Sequence, residues 1–313
     1  MDLKAFIITI DTEGDNQWDL SQSCSTQNAK FLPRFQELCE KYGLKPTWLT
    51  NYEMAMDPFY IEYMRDCLKR KTCEIGMHLH AWNNPPDYPL KRVNEQRDYL
   101  FEYPEYIIDE KVKVLTDLLE DTFQRKMISH RSGRWATDET YFKVLDKYGY
   151  KVDCSVTPLV NWQSCLGATG KLGSDYSQSP MQPYYIYKDI LEVPVSIRDL
   201  HIFCPERIKT MRNFALECKY FMLGRKVWLR PSRNPSIVAL KSVLNQVNID
   251  SDYAMFMLHS SELMPGGSNS FQNQKEIEEL FTFLEMLFSY AVSKGYKGYT
   301  LDEYYRYKLK SLG

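Results

Sequence analysis

The chain has 313 residues, of which 44% are hydrophobic and 26% charged, and its formal net charge is −2. That length holds one large α/β domain or two modest ones, and the composition is that of an ordinary globular protein. A charge so near zero creates no global field for nucleic acid, so no nucleic-acid partner is expected. The eight cysteines form no C-x-x-C pair, in a chain too long to need disulfide staples, so free thiols in a reducing compartment are expected. The apolar run before Asp11 is too short for a signal-peptide core, and no window approaches the roughly 20 apolar residues of a membrane span. Cytoplasmic residence is the default expectation.

In chain order, the first element is the apolar, β-branched run Phe6–Ile10, which stops at Asp11-Thr12-Glu13-Gly14. Such a run reads as a strand covered on both faces, as in a parallel sheet. Gln27–Gly43 has apolar residues at helical spacing and Gly43 where a C-terminal cap belongs. Pro46–Thr50 reads as a second strand, and Asp57-Pro58 starts a helix that runs towards Lys71. Glu74–His78 is a third strand, Ile107–Phe123 a helix, Met127–His130 a fourth strand and Thr137–Tyr148 a helix. Tyr150–Ser155 and Leu191–Ile197 are the fifth and sixth strands. Asn234–Val247, with Pro235 near its start, reads as a helix, and Ala254–Leu258 as the seventh strand. Gln274–Ser293 carries the clearest apolar stripe, and Tyr299–Leu301 reads as a last short strand. Strands alternating with helices imply βα units on a parallel sheet. The expectation is a single α/β domain over residues 1–313, a distorted TIM-like β/α barrel of about seven parallel strands. Two stretches interrupt the alternation: a loop over Asn83–Tyr103 and an inserted helical segment of about 201–233.

In β/α barrels the chemistry sits at the C-terminal strand ends. Asp11 and Glu13 are two residues apart, so they face the same way while the chain stays extended. His78 and His80 alternate likewise, and His130 and His259 also fall at strand ends, leaving His201 in the insertion. Neutral imidazoles and a carboxylate suit zinc with an open position for water, whose pKa the metal lowers to about 7. A neighbouring carboxylate then serves as general base. Each feature alone has a plainer reading, as a turn, a cap or a structural histidine; their coincidence at strand ends is the signal.

The order of these motifs resembles the NodB-homology polysaccharide deacetylases, the fourth carbohydrate esterase family. The resemblance rests on Thr9–Glu13, Glu74–His78, His130–Trp135, Asp153 with Trp162, and Leu258-His259. It implies a metal-dependent hydrolase that cleaves N- or O-acetyl groups from glycans. It implies Asp11 as catalytic base, Arg131 as the residue that orients it, His259 as general acid, and Glu13 and His78 as ligands of a divalent metal, zinc first. The family places a second histidine four residues beyond His78, where this chain has Trp82, so His80 takes that ligand's place. The family's proline after Arg131 is missing, and the spacing of Asp153 to Trp162 is loose. Trp135 and Trp162 are candidate sugar-stacking walls, Trp82, Arg134 and Asp153 further substrate contacts, and Glu262 a partner that orients His259.

The substrate expected from this reading is an acetylated amino sugar, within a glycan or linked to a carrier. Competing readings are a metal-independent amidohydrolase of cyclic amides and a glycan-binding barrel without turnover. The retention of Asp11, Arg131 and His259 together speaks against the last, since binding alone needs no acid–base pair. The insertion interleaves Arg and Lys with Phe, Tyr and Trp. This is either a solvated basic face or a surface for an anionic partner, a phosphate-linked sugar or a membrane at its periphery. The oligomeric state is not legible from the sequence.

Overall fold

The computed structural model describes residues 3–17, 24–232 and 236–312. Its strands are β1 (Ala5–Thr12), β2 (Pro46–Thr50), β3 (Glu74–Leu79), β4 (Ser129–Ser132), β5 (Val152–Asp153), β6 (Tyr184–Tyr187), β7 (Ile190–Glu192), β8 (Ile197–Leu200), β9 (Arg225–Trp228), β10 (Tyr253–His259) and β11 (Lys297–Tyr299). Its helices are α1 (Leu32–Lys41), α2 (Tyr52–Ala55), α3 (Pro58–Arg70), α4 (Glu105–Phe123), α5 (Glu139–Lys147), α6 (Met211–Leu223), α7 (Ile237–Asp250), α8 (Gln274–Ser293) and α9 (Leu301–Leu312). None of these helices is long and apolar enough to cross a membrane.

One sheet organises the chain, in the order β10-β1-β2-β3-β4-β5-β7-β6, with β11 alongside β1. Neighbours along it are parallel except β6 and β7. All of β1 is buried, as its continuous apolar run requires. Period-2 alternation sorts its side chains: Phe6, Ile8 and Ile10 pack outward under the helices, against Phe256 and Phe288 among others, while Ile7 faces the inside of the curl with Leu49, Val152 and Met255. Thr9 and Asp11 share the parity of Ile7. The same face that supplies the inner core therefore delivers Asp11 to the strand end.

Of the expected β/α barrel, the curled parallel sheet is present. The sheet is a curled, parallel-dominated half-barrel, and among the described residues its ladder does not close between β7 and β10. Pro194 lacks the N–H that a continuing strand needs. The expected strand Leu191–Ile197 therefore splits into β7 and β8, and β8 turns away to pair antiparallel with β9. Ser196 spans the gap, accepting from Met255 N at 2.9 Å through its hydroxyl and from Leu229 N at 2.9 Å through its carbonyl.

The inserted segment is only partly helical. It holds α6 and then β9, whose Arg225-Lys226-Val227-Trp228 alternates buried and less buried positions. Arg233, Asn234 and Pro235, read as the end of the insertion and the start of a helix, lie outside the described residues. Leu301 begins a helix where a strand was expected. Thr300 and Glu303 cap it reciprocally, Thr300 Oγ1 accepting from Glu303 N at 3.2 Å and Glu303 accepting from Thr300 N at 3.1 Å.

Candidate active site

Parallel register brings the strand ends level: Asp11 lies opposite His259, and His78 opposite Arg131. Glu13, His78 and His80, all buried, offer ligand atoms within 4.8 Å of one another. Glu13 Oε2 lies 3.2 Å from His80 Nε2 and 3.8 Å from His78 Nε2, and the two Nε2 atoms are 3.0 Å apart. Zinc bonds of roughly 2.1 Å in a tetrahedron set ligand atoms roughly 3.4 Å apart, so these spacings fit an ion at the centre. His78 Nδ1 donates to the Arg131 carbonyl at 3.0 Å, which leaves its Nε2 lone pair facing the centre. Burial lowers both imidazoles to about 4, against Asp11 in each case and Glu13 and Glu53 respectively, so they are neutral ligands at pH 7. Gly133 makes room for His80, because a Cβ there would lie 2.7 Å from His80 Cδ2 and 2.6 Å from the Leu79 carbonyl. Trp82 stacks on the outer face of His80, with centroids 4.3 Å apart, and donates to Gln17 at 3.2 Å.

Burial pushes the Glu13 carboxyl up to about 7 against the pull of His259 and His78. A ligand must be ionised, so below about pH 7 a proton competes with metal at Glu13. The expected result is that zinc affinity weakens by up to about tenfold per pH unit below 7, and that loading near pH 6 releases about one proton. The imidazoles begin to compete only towards about 4. Calorimetric titration in buffers of different ionisation enthalpy measures this, and an affinity independent of pH across that range contradicts it.

Asp11 occupies the neighbouring position. Arg131, fully buried, donates from Nη1 to Asp11 Oδ1 at 2.5 Å, from Nη2 to Thr9 Oγ1 at 2.8 Å and from Nε to the Cys154 carbonyl at 3.0 Å. Burial alone would raise the Asp11 carboxyl, but Arg131, His78 and His259 outweigh it and hold it at about 2. Just past Arg131 the chain makes a strained turn, with Arg134 at φ 58° and Trp135 at φ 59°. Two left-handed residues without glycine cost roughly 1–2 kcal/mol each. Their side chains hold the turn: Arg134 lies over Tyr99, 4.0 Å from the ring centre, and donates to Leu166 O at 3.0 Å, while the Trp135 ring lies 4.9 Å from the Arg131 guanidinium.

His259 Nε2 faces Asp11 Oδ2 at 3.7 Å from the other side. Behind it, Glu262 lies 3.4 Å from Nδ1 and accepts from the His259 backbone N at 3.0 Å. Arg230 Nη2 donates to both Glu262 oxygens at 2.8 and 3.0 Å, and Ser270 Oγ to one at 2.9 Å. Burial works against each charge, but Arg230 and His259 hold Glu262 well below its ordinary range, and Glu262 and Glu13 raise His259 above 6.5.

Asp11, Glu13, His78 and His259 open into one cavity of about 800 Å³, walled by Trp135, Trp162, Arg134 and the stretch Asn94–Tyr99 of the long loop. The structure thus brings together most of the residues singled out in the sequence. Trp82 and Asp153 are placed otherwise. Trp82 buttresses His80 and lines an adjoining cavity. Asp153 is fully buried within the sheet, taking His130 Nδ1 at 2.7 Å and Ser155 Oγ at 2.8 Å, so the expectation that it contacts substrate is corrected. His130, bound on its other side by Tyr141 OH at 2.6 Å, is likewise a core group. Arg230 was not singled out, because a basic residue in a basic segment reads as solvated surface.

No protein-family model and no curated protein matches the sequence. Solved structures do match. A protein from Mycobacterium smegmatis assigned as a polysaccharide deacetylase aligns at 13% identity over 96% of this chain and 94% of that one, with a TM-score of 0.50. A GH57 branching enzyme from Thermococcus kodakaraensis aligns at 10% identity over 95% of this chain and 70% of that one, with a TM-score of 0.54. A family 4 carbohydrate esterase from Streptomyces lividans aligns at 9% identity over 95% of this chain and 93% of that one, with a TM-score of 0.45. The chain has the fold of the polysaccharide deacetylases, a fold it shares with an enzyme of different chemistry.

Proposed function

We propose that the chain is a divergent NodB-type deacetylase, a metal-dependent hydrolase that removes an N-acetyl group from an amino sugar of a glycan or a carrier-linked sugar. The observation that carries this reading is the convergence of Glu13, His78 and His80 beside a carboxylate, Asp11, that is clamped by Arg131 and faced by His259 at 3.7 Å. Two neutral imidazoles and a carboxylate aimed at one point suit metal-assisted amide hydrolysis. Cytoplasmic residence belongs to the same proposal, supported by the free thiols of all eight cysteines.

Glu13, His78 and His80 would hold the ion, which supplies positive charge to acidify a water and to stabilise the oxyanion. Asp11 takes the proton of the attacking water. A carboxylate held at about 2 is a weak base, so it acts on a water already acidified, and Arg131 keeps it ionised and oriented. His259 gives a proton to the departing amine, and Glu262, itself fixed by Arg230 and Ser270, keeps that ring charged. Trp135 and Trp162 offer ring faces and Arg134 donors along the cavity wall, where the sugar lies.

Acetate release from N-acetylglucosamine oligomers tests the function, with a chelated sample to separate it from the metal-independent reading on cyclic amides. His259→Ala should slow such amides by about 10²- to 10⁴-fold and aryl acetates far less, because a good leaving group departs unprotonated. Equal losses on both substrates count against His259 as the acid. Glu262→Gln removes the charge that raises His259. The acid must be protonated, so activity is lost as pH rises through the His259 value, and the variant's alkaline limb should move to lower pH. A limb that stays in place contradicts the pairing.

A further inference from the structure

Helix α6 is built inside out. Of its thirteen residues, the buried one is Glu217. Glu217 takes Cys204 N and Arg225 Nη1, each at 3.0 Å, so an ion pair fastens the helix to the protein. Arg225, which in the sequence belongs to a basic face, is thereby turned inward. Apolar side chains on the far side stand open: Met211 is 80% exposed, Met222 69% and Leu223 68%. On a helical wheel, Met211, Arg212, Leu216, Lys219, Met222 and Leu223 fall on one face, opposite Glu217. A helix face that exposes apolar and basic side chains together suits an interaction surface.

We infer that α6 docks the protein on an anionic lipid surface. Charge decides the occupant. Lys209, Arg212, Lys219 and Lys226 are exposed in and around the helix. The acids of the stretch are engaged: Glu217 is buried, and Glu206 holds Ser236 Oγ and Val238 N at the start of α7. A second copy docked through the same face would set Arg212 and Lys219 against their own equivalents, and like charges repel. Anionic headgroups take the lysines and arginine, and the acyl boundary takes the methionines and leucines.

The position matters for the site. Through Gly224, α6 runs directly into β9, whose Trp228 packs edge-on against Trp135 at 5.8 Å and Trp162 at 6.2 Å, both walls of the main cavity. A smaller cavity of about 340 Å³ between them carries Arg207, Lys226 and Arg230. Docking would bring the main cavity near the headgroup plane, within reach of sugars on lipid carriers; this last step, unlike the docking, rests on the proposed function.

Co-sedimentation of the full chain with vesicles tests the docking without any turnover. Vesicles of phosphatidylcholine mixed with phosphatidylglycerol should retain the protein, those of phosphatidylcholine alone much less, and added salt should weaken retention. Met222→Ser with Leu223→Ser should weaken partitioning at least about tenfold, and Arg212→Ser with Lys219→Ser should erase the preference for the anionic lipid. These positions are exposed, so melting temperature and any turnover of a water-soluble acetylated sugar should be unchanged. Absent or lipid-indifferent retention overturns the proposal, as does a solution dimer that the apolar substitutions dissolve. Vesicle binding by a protein that deacetylates nothing upholds the docking and sinks the deacetylase reading alone.

Discussion

Asp11→Asn is expected to lower turnover by about 10²- to 10⁴-fold while metal stays bound. The amide accepts no proton as a base, yet it fills the same volume beside Glu13. The substitution has a second effect. Arg131 is fully buried and its Nη1 is paired with Asp11 at 2.5 Å, so the variant leaves a guanidinium charge without its counter-charge inside the protein. Breaking a buried pair in this way costs about 3–5 kcal/mol. Thermal melting and turnover, measured on the folded fraction, separate the two losses. Pairing Asp11→Asn with Arg131→Met should recover much of the stability and none of the turnover. Recovery of both would show that Asp11 is there to neutralise Arg131 and has no part in the chemistry.

His78→Ala is expected to remove both metal and activity. The ring supplies one of three convergent atoms, and its Nδ1 bond to the Arg131 carbonyl ties the ligand to the strand that carries the Asp11 clamp. With two ligands left, zinc at micromolar concentration should no longer be retained, and turnover should fall to background without recovery in excess metal. His80→Ala should behave the same way, which tests the departure from the family's spacing directly. A His80→Ala protein that keeps stoichiometric metal would mean that Trp82 marks the true loss of a ligand and that His80 is only its stacking partner.

The parts of this site that were legible in the sequence are those governed by short-range periodicity. Asp11 and Glu13, like His78 and His80, could be placed on one side because a strand alternates, and β1 and β3 are continuous enough to keep that alternation. Glu262 could be placed behind His259 because three residues separate them. Long-range partners left no local mark. Arg230 reaches Glu262 across 32 residues, and Arg131 reaches Asp11 across 120; the second was found only because a family motif pointed to it. Asp153 and His130 misled for the opposite reason. They pair across β4 and β5 on the core side of the sheet, and strand ends two and four residues long do not reveal which parity faces the cavity. The split between β7 and β8 was not legible because Pro194 reads through as strand, and α9 was not expected although Thr300-x-x-Glu303 spells its cap.

The most direct test is a metal titration read out as acetate. Protein stripped with a chelator is loaded with increasing zinc, and release of acetate from an N-acetylglucosamine oligomer is followed together with bound metal. The account predicts that activity is absent at zero metal, rises in proportion to occupancy and levels at about one ion per chain. Glu13→Gln, His78→Ala and His80→Ala should each flatten the curve. Acetate release that persists in fully stripped protein, or one bound ion per chain that survives loss of all three side chains, would contradict it.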